Sequence, residues 1–310
     1  MTFVIHANLD CEATWAGTAL SATVSARISL YGWLLTALAP ADVVVELWTP
    51  TAIDPARLGV PTGWTAPRLR VGTPEFADLR WAALDARAVN DRRLALAIAS
   101  ETGCALPGAR VIHAVDELPT VRGPWVCKAP WTSAGRDRCQ GNGPPTAEQA
   151  THLTRLFSKH RALVFEPWLD RLFDVGVCAV VHADGTTHAE PPHGLLSDSR
   201  GRFRGIDLAP PGLLPDELTQ LARSIEAVGS ALSKRGYAGP FTIDAFAHRV
   251  GDERRFHPLC EINARYSFGA VTRAFAQRWG ARELGFGPAP DHATVLITPG
   301  TDGVTAWIRG

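Results

Sequence analysis

Two short β-branched runs, at 3–6 and 43–48, flank a stretch of helical length at 21–38. Apolar runs of that length without alternation suit strands buried on both faces, as in a parallel sheet. Residues 1–88 are therefore expected to form an N-terminal α/β lobe, loop-rich around Pro50, Pro55, Pro61 and Pro67. From 74 to 100 the pattern turns helical, with Asn90-Asp91 placed to cap a helix over 92–102 that Gly103 ends. Strands are expected at 111–113, 125–129 and 162–166, with a turn of helix at 115–118, a polar loop at 132–143 and a helix at 146–160. Residues 174–182 and 186–190 read as a hairpin about Asp184-Gly185, and 216–235 as a helix ending at Gly236. A second hairpin flanks 251–253, followed by a helix over 270–279 and a closing hairpin from 294–298 and 305–308. So many hairpin-linked strands make the fold class α+β beyond the first lobe.

Composition narrows the function. The 310 residues suffice for two domains or one large multilobed one. Lys and Arg together number 31, balanced by 31 Asp and Glu, so no phosphate-neutralising surface for nucleic acid is expected. No stretch suits a signal peptide or a membrane span, and the six cysteines show no zinc-like spacing. A cytoplasmic protein with reduced thiols, in contact with neither membrane nor nucleic acid, is the expectation. A homodimer is the default assembly. Among the basic residues only Lys128, Lys159 and Lys234 are lysine. In a chain that uses Arg almost everywhere, a lysine within an apolar segment points to a role Arg does not fill.

The sharpest local pattern is FTIDAFAH at 241–248 set against FHPLCEIN at 256–263. With the turn centred on Asp252-Glu253, residues pair when their numbers sum to 505. Ile243 then faces Ile262, Ala245 faces Cys260 and Ala247 faces Pro258, giving one apolar side. On the other side Asp244 lies across from Glu261 and Thr242 across from Asn263, while His248 and His257 pair nearer the turn. Directly opposed side chains have Cβ atoms roughly 4.5–5.5 Å apart, where like charges destabilise. No basic residue is interposed, so a bound cation is expected to compensate, and hard oxygen ligands suit Mg²⁺.

Lys128 ends the apolar run PWVCK and is followed by TSAGRDR, a loop with hydroxyls, a glycine and two arginines. Backbone amides near Ser133 and Gly135, with Arg136, suit polyphosphate oxygens, although no Walker A pattern is present. The run LVFEPWLD at 163–170 stops at Pro167 and offers Trp168 and Leu169 to a planar ring, though an ordinary strand end explains it equally. His193 reads as an incidental loop histidine.

In this order, over residues 75–285, these pieces resemble the ATP-grasp superfamily, the fold of D-alanine–D-alanine ligase, biotin carboxylase and glutathione synthetase. The resemblance implies two α+β subdomains clamping ATP, at 89–163 with the phosphate loop and 164–310 with the metal site, after the N-terminal lobe of 1–88. It implies that Lys128, Ser133, Gly135 and Arg136 contact phosphates, that Glu166, Trp168 and Leu169 form the adenine hinge, and that Asp174 contacts ribose. Asp244, Glu261 and Asn263 would chelate Mg²⁺, and Arg265 would contact phosphates or a substrate carboxylate. Two departures stand out: Arg92, implied as a nucleotide-binding residue, occupies a position commonly lysine, and Pro167 one that is often lysine, which removes an N–H donor. The implied activity is an ADP-forming ligase that joins a carboxylate to an amine, an amino acid or peptide among them, through an acyl phosphate. Lys128, Arg136 and Arg265 would carry the catalytic charge. A kinase, a thioester-forming ligase and a nucleotide-binding subunit without turnover are the alternatives.

Overall fold

The computed structural model describes residues 1–120, 122–132, 137–198, 202–209 and 212–310. The chain forms two compact units, the first from Met1–Leu84, Pro192–Pro210 and Arg265–Gly310, the second from Asp85–Pro191 and Pro211–Ala264. It opens in the first unit with β1 (Thr2–His6), α1 (Cys11–Trp15), α2 (Ala22–Gly32), β2 (Val44–Thr49), β3 (Arg68–Val71) and β4 (Leu79–Arg80). The second unit follows with α3 (Arg92–Glu101), β5 (Arg110–Ile112), β6 (Pro124–Lys128), β7 (Arg138–Asn142), α4 (Ala147–His160), β8 (Leu163–Pro167), β9 (Asp170–Val181) and β10 (Thr187–Ala189). After β11 (His193–Ser197) and β12 (Phe203–Asp207) in the first unit come α5 (Pro215–Ser233), β13 (Gly239–Val250) and β14 (Glu253–Asn263) in the second. The first unit is completed by α6 (Phe268–Trp279), β15 (Glu283–Phe286), β16 (Thr294–Ile297) and β17 (Ala306–Arg309).

In the first unit a parallel sheet of order β3-β2-β1-β4 accompanies an antiparallel run β11-β12-β15-β17-β16. Ile5, Leu47, Trp33, Leu34, Phe275, Leu284 and Leu296 bury completely in one shared core. The expected helix at 21–38 is α-helical only over α2 and tightens to a 3₁₀ helix over Trp33–Leu38. Helix does not begin at 74. Leu79 on β4 instead pairs with Ile5, and Trp81 and Ala82 beyond it enter the core, so the apolar spacing there serves a strand.

His193 is not in a loop. It begins β11, is fully buried, and neither ring nitrogen has a hydrogen-bond partner among the described residues. Burial, together with the charge of Arg273, lowers its pKa to about 3. Because the folded value lies below the ordinary 6.5, the stability is complete above that pH and declines as pH falls. At pH 5 the cost is about 2 kcal/mol. His193→Leu should raise the melting temperature at pH 7 and flatten its fall towards pH 5; equal acid sensitivity in both proteins would refute this. His257, lowered to about 4 chiefly by burial, leaves some acid sensitivity in the variant.

The second unit holds two antiparallel sheets, β5-β8-β6-β7 and β14-β13-β9 with β10 on β9. In the first, Trp125, Cys127, Cys139, Leu163 and Phe165 pack with Leu153 and Leu156 of α4. Thr146 and Gln149 close a reciprocal capping box at the start of α4. The polar stretch expected as a loop to 143 contains β7, paired with β6 from Pro124↔Asn142 to Lys128↔Arg138. Gly141 makes the pairing possible, since a Cβ there would meet the Trp125 ring at 2.2 Å. Gly141→Ala should therefore cost about 1–3 kcal/mol by overpacking, read as a lower urea midpoint.

Candidate active site

The period-two alternation of a strand places Lys128. Trp125 and Cys127 point to the core beneath α4, so Val126 and Lys128 point to the opposite face. On β8 the register Val126↔Glu166 and Lys128↔Val164 sets Glu166 diagonally across from Lys128. Lys128 Nζ donates to Glu166 Oε2 at 2.5 Å, with the side chains 15% and 12% exposed. Burial disfavours both charges. Their mutual attraction outweighs it, raising the lysine above its ordinary pKa and holding the carboxyl below its own.

Asp244 lies across from Glu261 and Thr242 across from Asn263 on the β13–β14 hairpin, as the sum of 505 requires. Beyond Asp244 the register breaks. Phe246 pairs with His257 and His248 with Arg255, so the expected Ala245–Cys260, Ala247–Pro258 and His248–His257 pairs do not form. β14 carries the extra residues around Pro258, which has no N–H to give the ladder. The turn is centred on Gly251-Asp252, with φ +59° at Gly251. Cys260 leaves the expected apolar pairing, and its Sγ lies 3.8 Å from Arg171 Nη2. Burial pushes this thiol up in spite of Lys128 and Arg171, so it is a neutral wall residue.

The pair of carboxylates has a basic neighbour that strand pairing alone did not show. Asn90 donates to Ala264 O (3.2 Å) and accepts from Ala264 N (2.8 Å), fastening the end of β14 to the start of α3. Asp91 caps the helix, its Oδ1 accepting from Arg93 N. Arg92, the next residue, donates through Nη2 to Glu261 Oε1 at 2.8 Å. It also donates to Ala129 O, Thr132 Oγ1 and Thr132 O. The expectation that no basic residue compensates the carboxylates is therefore corrected: Arg92 arrives from a different element.

Asp244 Oδ2 accepts from Asn263 Nδ2 at 3.3 Å, and Gly176 of β9 is its other register partner. Two carboxylates and an amide oxygen are hard donors that fit Mg²⁺. Among the described residues no three His, Cys, Asp or Glu side chains form a metal cluster, so water and substrate oxygens would supply the rest of its ligands.

In the segment expected as a hinge, Pro167 has no N–H and the Trp168 N–H goes to Pro124 O at 2.9 Å. A base there would depend on Leu169 and the hinge carbonyls. Arg171 and Arg138 lie 5.7 and 6.0 Å from the Trp168 ring. Asp174 accepts from Arg171 Nη1 at 2.6 Å. Lys159 joins His160 in donating to Asp137. Ser133, Gly135 and Arg136 lie outside the described residues.

The second unit thus contains Arg92, Lys128, Glu166, Trp168, Leu169, Asp174, Asp244, Glu261 and Asn263. Arg265 belongs to the first. There its guanidinium lies over Trp81 at 5.3 Å and donates to Glu12 Oε1 at 2.8 and 3.2 Å, in a pair 14% and 9% exposed. Asn90, Arg171 and Glu12 were not singled out as site residues. Asn90 carried a cap signal; Glu12 carried none.

The sequence matches no protein-family model and no curated protein. The structure is similar to phosphoribosylamine–glycine ligase of Thermotoga maritima, with a TM-score of 0.57 at 13% identity over 100% of this chain and 90% of that one. It is similar to the L-amino acid ligase of Bacillus licheniformis, with a TM-score of 0.57 at 10% identity over 99% and 92%. For N5-carboxyaminoimidazole ribonucleotide synthetase of Thermus thermophilus the TM-score is 0.55 at 13% identity over 100% and 94%. All three are ATP-grasp ligases, and this chain has the ATP-grasp fold.

Proposed function

We propose that the protein is an ATP-dependent ligase that activates a carboxylate as an acyl phosphate, passes the acyl group to an amine, and releases ADP and phosphate. The observation that carries this reading is the grouping of Asp244, Glu261 and Asn263 with Arg92 at one end of the β13–β14 hairpin. Transfer of a phosphoryl group needs positioning and charge neutralisation more than a protein nucleophile. Lys128 has three N–H donors, of which one goes to Glu166, leaving two for phosphate oxygens. Mg²⁺ on the two carboxylates and the amide would supply positive charge against the phosphates. Arg265, over the Trp81 ring and bonded to Glu12, is suited to orient a substrate carboxylate. Two structural neighbours are named for glycine and for L-amino acids, which puts amino acids first among the substrates to test.

An ADP-release screen over paired amino-acid and small-acid pools, with mass spectrometry of whatever turns over, tests the reading. ADP formation that depends on both a carboxylate and an amine, with loss of one water in the joined product, is expected. Phosphorylated product without joining would refute ligation in favour of a kinase. Binding of Mg·ATP with no ADP from any pool would favour a nucleotide-binding subunit.

A further inference from the structure

We infer that Arg92 is a resident counter-cation which Glu261 exchanges for a divalent ion, so that the ion is held weakly by the free protein and firmly with its nucleotide. The inference rests on the metal reading of Asp244, Glu261 and Asn263 proposed above. Opposed carboxylates require a nearby positive charge, and Arg92 supplies one without any ion, 2.8 Å from Glu261 Oε1. Its side chain is only 12% exposed. Three further bonds, to Ala129 O (2.8 Å), Thr132 Oγ1 (2.8 Å) and Thr132 O (2.6 Å), orient the fork before it meets the carboxylate. Little additional ordering is then needed for the ion pair.

A divalent ion that takes Glu261 must separate it from this guanidinium. Separation deprives this largely buried cation of the Glu261 carboxylate, a loss that another anion in its place would offset. A polyphosphate is such an anion, and it comes with the ion. Ion and nucleotide should accordingly strengthen each other's binding by more than their own complexation in water explains. The same guanidinium ties Glu261 to the backbone at 129–132, directly after Lys128, so the exchange also reaches the segment that carries that lysine.

Titration of the nucleotide-free protein with Mn²⁺, followed by electron paramagnetic resonance of the free ion, tests this directly. Arg92→Gln should bind Mn²⁺ roughly tenfold tighter or more than the wild type, within the usual range of coupling between sites. Arg92→Lys, a point charge without the fork, should fall between them. Adding Glu261→Gln to either variant should abolish the gain. Equal Mn²⁺ affinity in the wild type and both Arg92 variants, with Mn²⁺ and a non-hydrolysable ATP analogue still binding together, would overturn the exchange and leave the metal reading intact. If no form binds Mn²⁺ with or without the analogue, the metal reading falls and the exchange with it. Should Arg92→Gln fail to fold, Arg92→Lys decides alone, by the presence or absence of tightening.

Discussion

Asp244→Asn should reduce ADP formation by about 10²–10³-fold while leaving the protein as stable as before or slightly more so. The substitution is nearly isosteric, and the new amide oxygen still accepts from Asn263 Nδ2, as Asp244 Oδ2 does at 3.3 Å. What disappears is one of two like charges in direct register, so the folded state loses a repulsion. The same charge is the one the proposed chemistry needs against a divalent ion. Activity and melting temperature should thus separate, which no general loss of folding imitates. Unchanged turnover of the true substrates in Asp244→Asn would remove this carboxylate from the mechanism.

Lys128→Met should destabilise the protein by about 3–5 kcal/mol at pH 7, because it strands the Glu166 carboxylate in a site only 12% exposed. Urea denaturation reads the effect, and its pH dependence gives the cause. In the wild type, Lys128 outweighs the burial that would otherwise raise Glu166, so the carboxyl lies below its ordinary value. The pair's contribution is then present above the ordinary carboxyl pKa and lost as pH falls below it. In Lys128→Met burial is opposed only by the weaker attraction of His257 and Arg171, the carboxyl shifts upward, and acidification from pH 7 towards 5 should narrow the gap between variant and wild type. The double variant Lys128→Met/Glu166→Leu should regain most of the stability but not the nucleotide affinity. A single variant as stable as the wild type at pH 7 would show that the pair is not a coupled buried one.

Much of the local architecture was legible along the chain. The helices at 92–101, 147–160 and 215–233 lie within a residue or two of where periodicity and caps put them. Asp244 opposite Glu261 followed from the alternation of a hairpin alone. The same alternation failed six residues short of the turn, because Pro258 interrupts the ladder and a bulge shifts every later pair. β7 was missed since Arg138–Asn142 has a loop's composition, and its glycine is explained only by the Trp125 ring lying over it. His193 reads as a loop residue because Glu190-Pro-Pro-His looks like a turn, while its burial depends on elements elsewhere in the chain.

Periodicity and turn chemistry are carried by neighbours a few residues apart, and through them the sequence by itself determined the strands, the opposed carboxylates and the singular Lys128. Which charge meets which was decided by the tertiary structure. Arg92 reaches Glu261 across 169 positions, Asn90 reaches Ala264 across 174, and Arg265 reaches Glu12 across 253. Such pairs form only after packing has brought their elements together and removed the water that would otherwise screen them. The cation that the two carboxylates demanded was therefore foreseeable as a need, but its source, a guanidinium at the start of α3, was not.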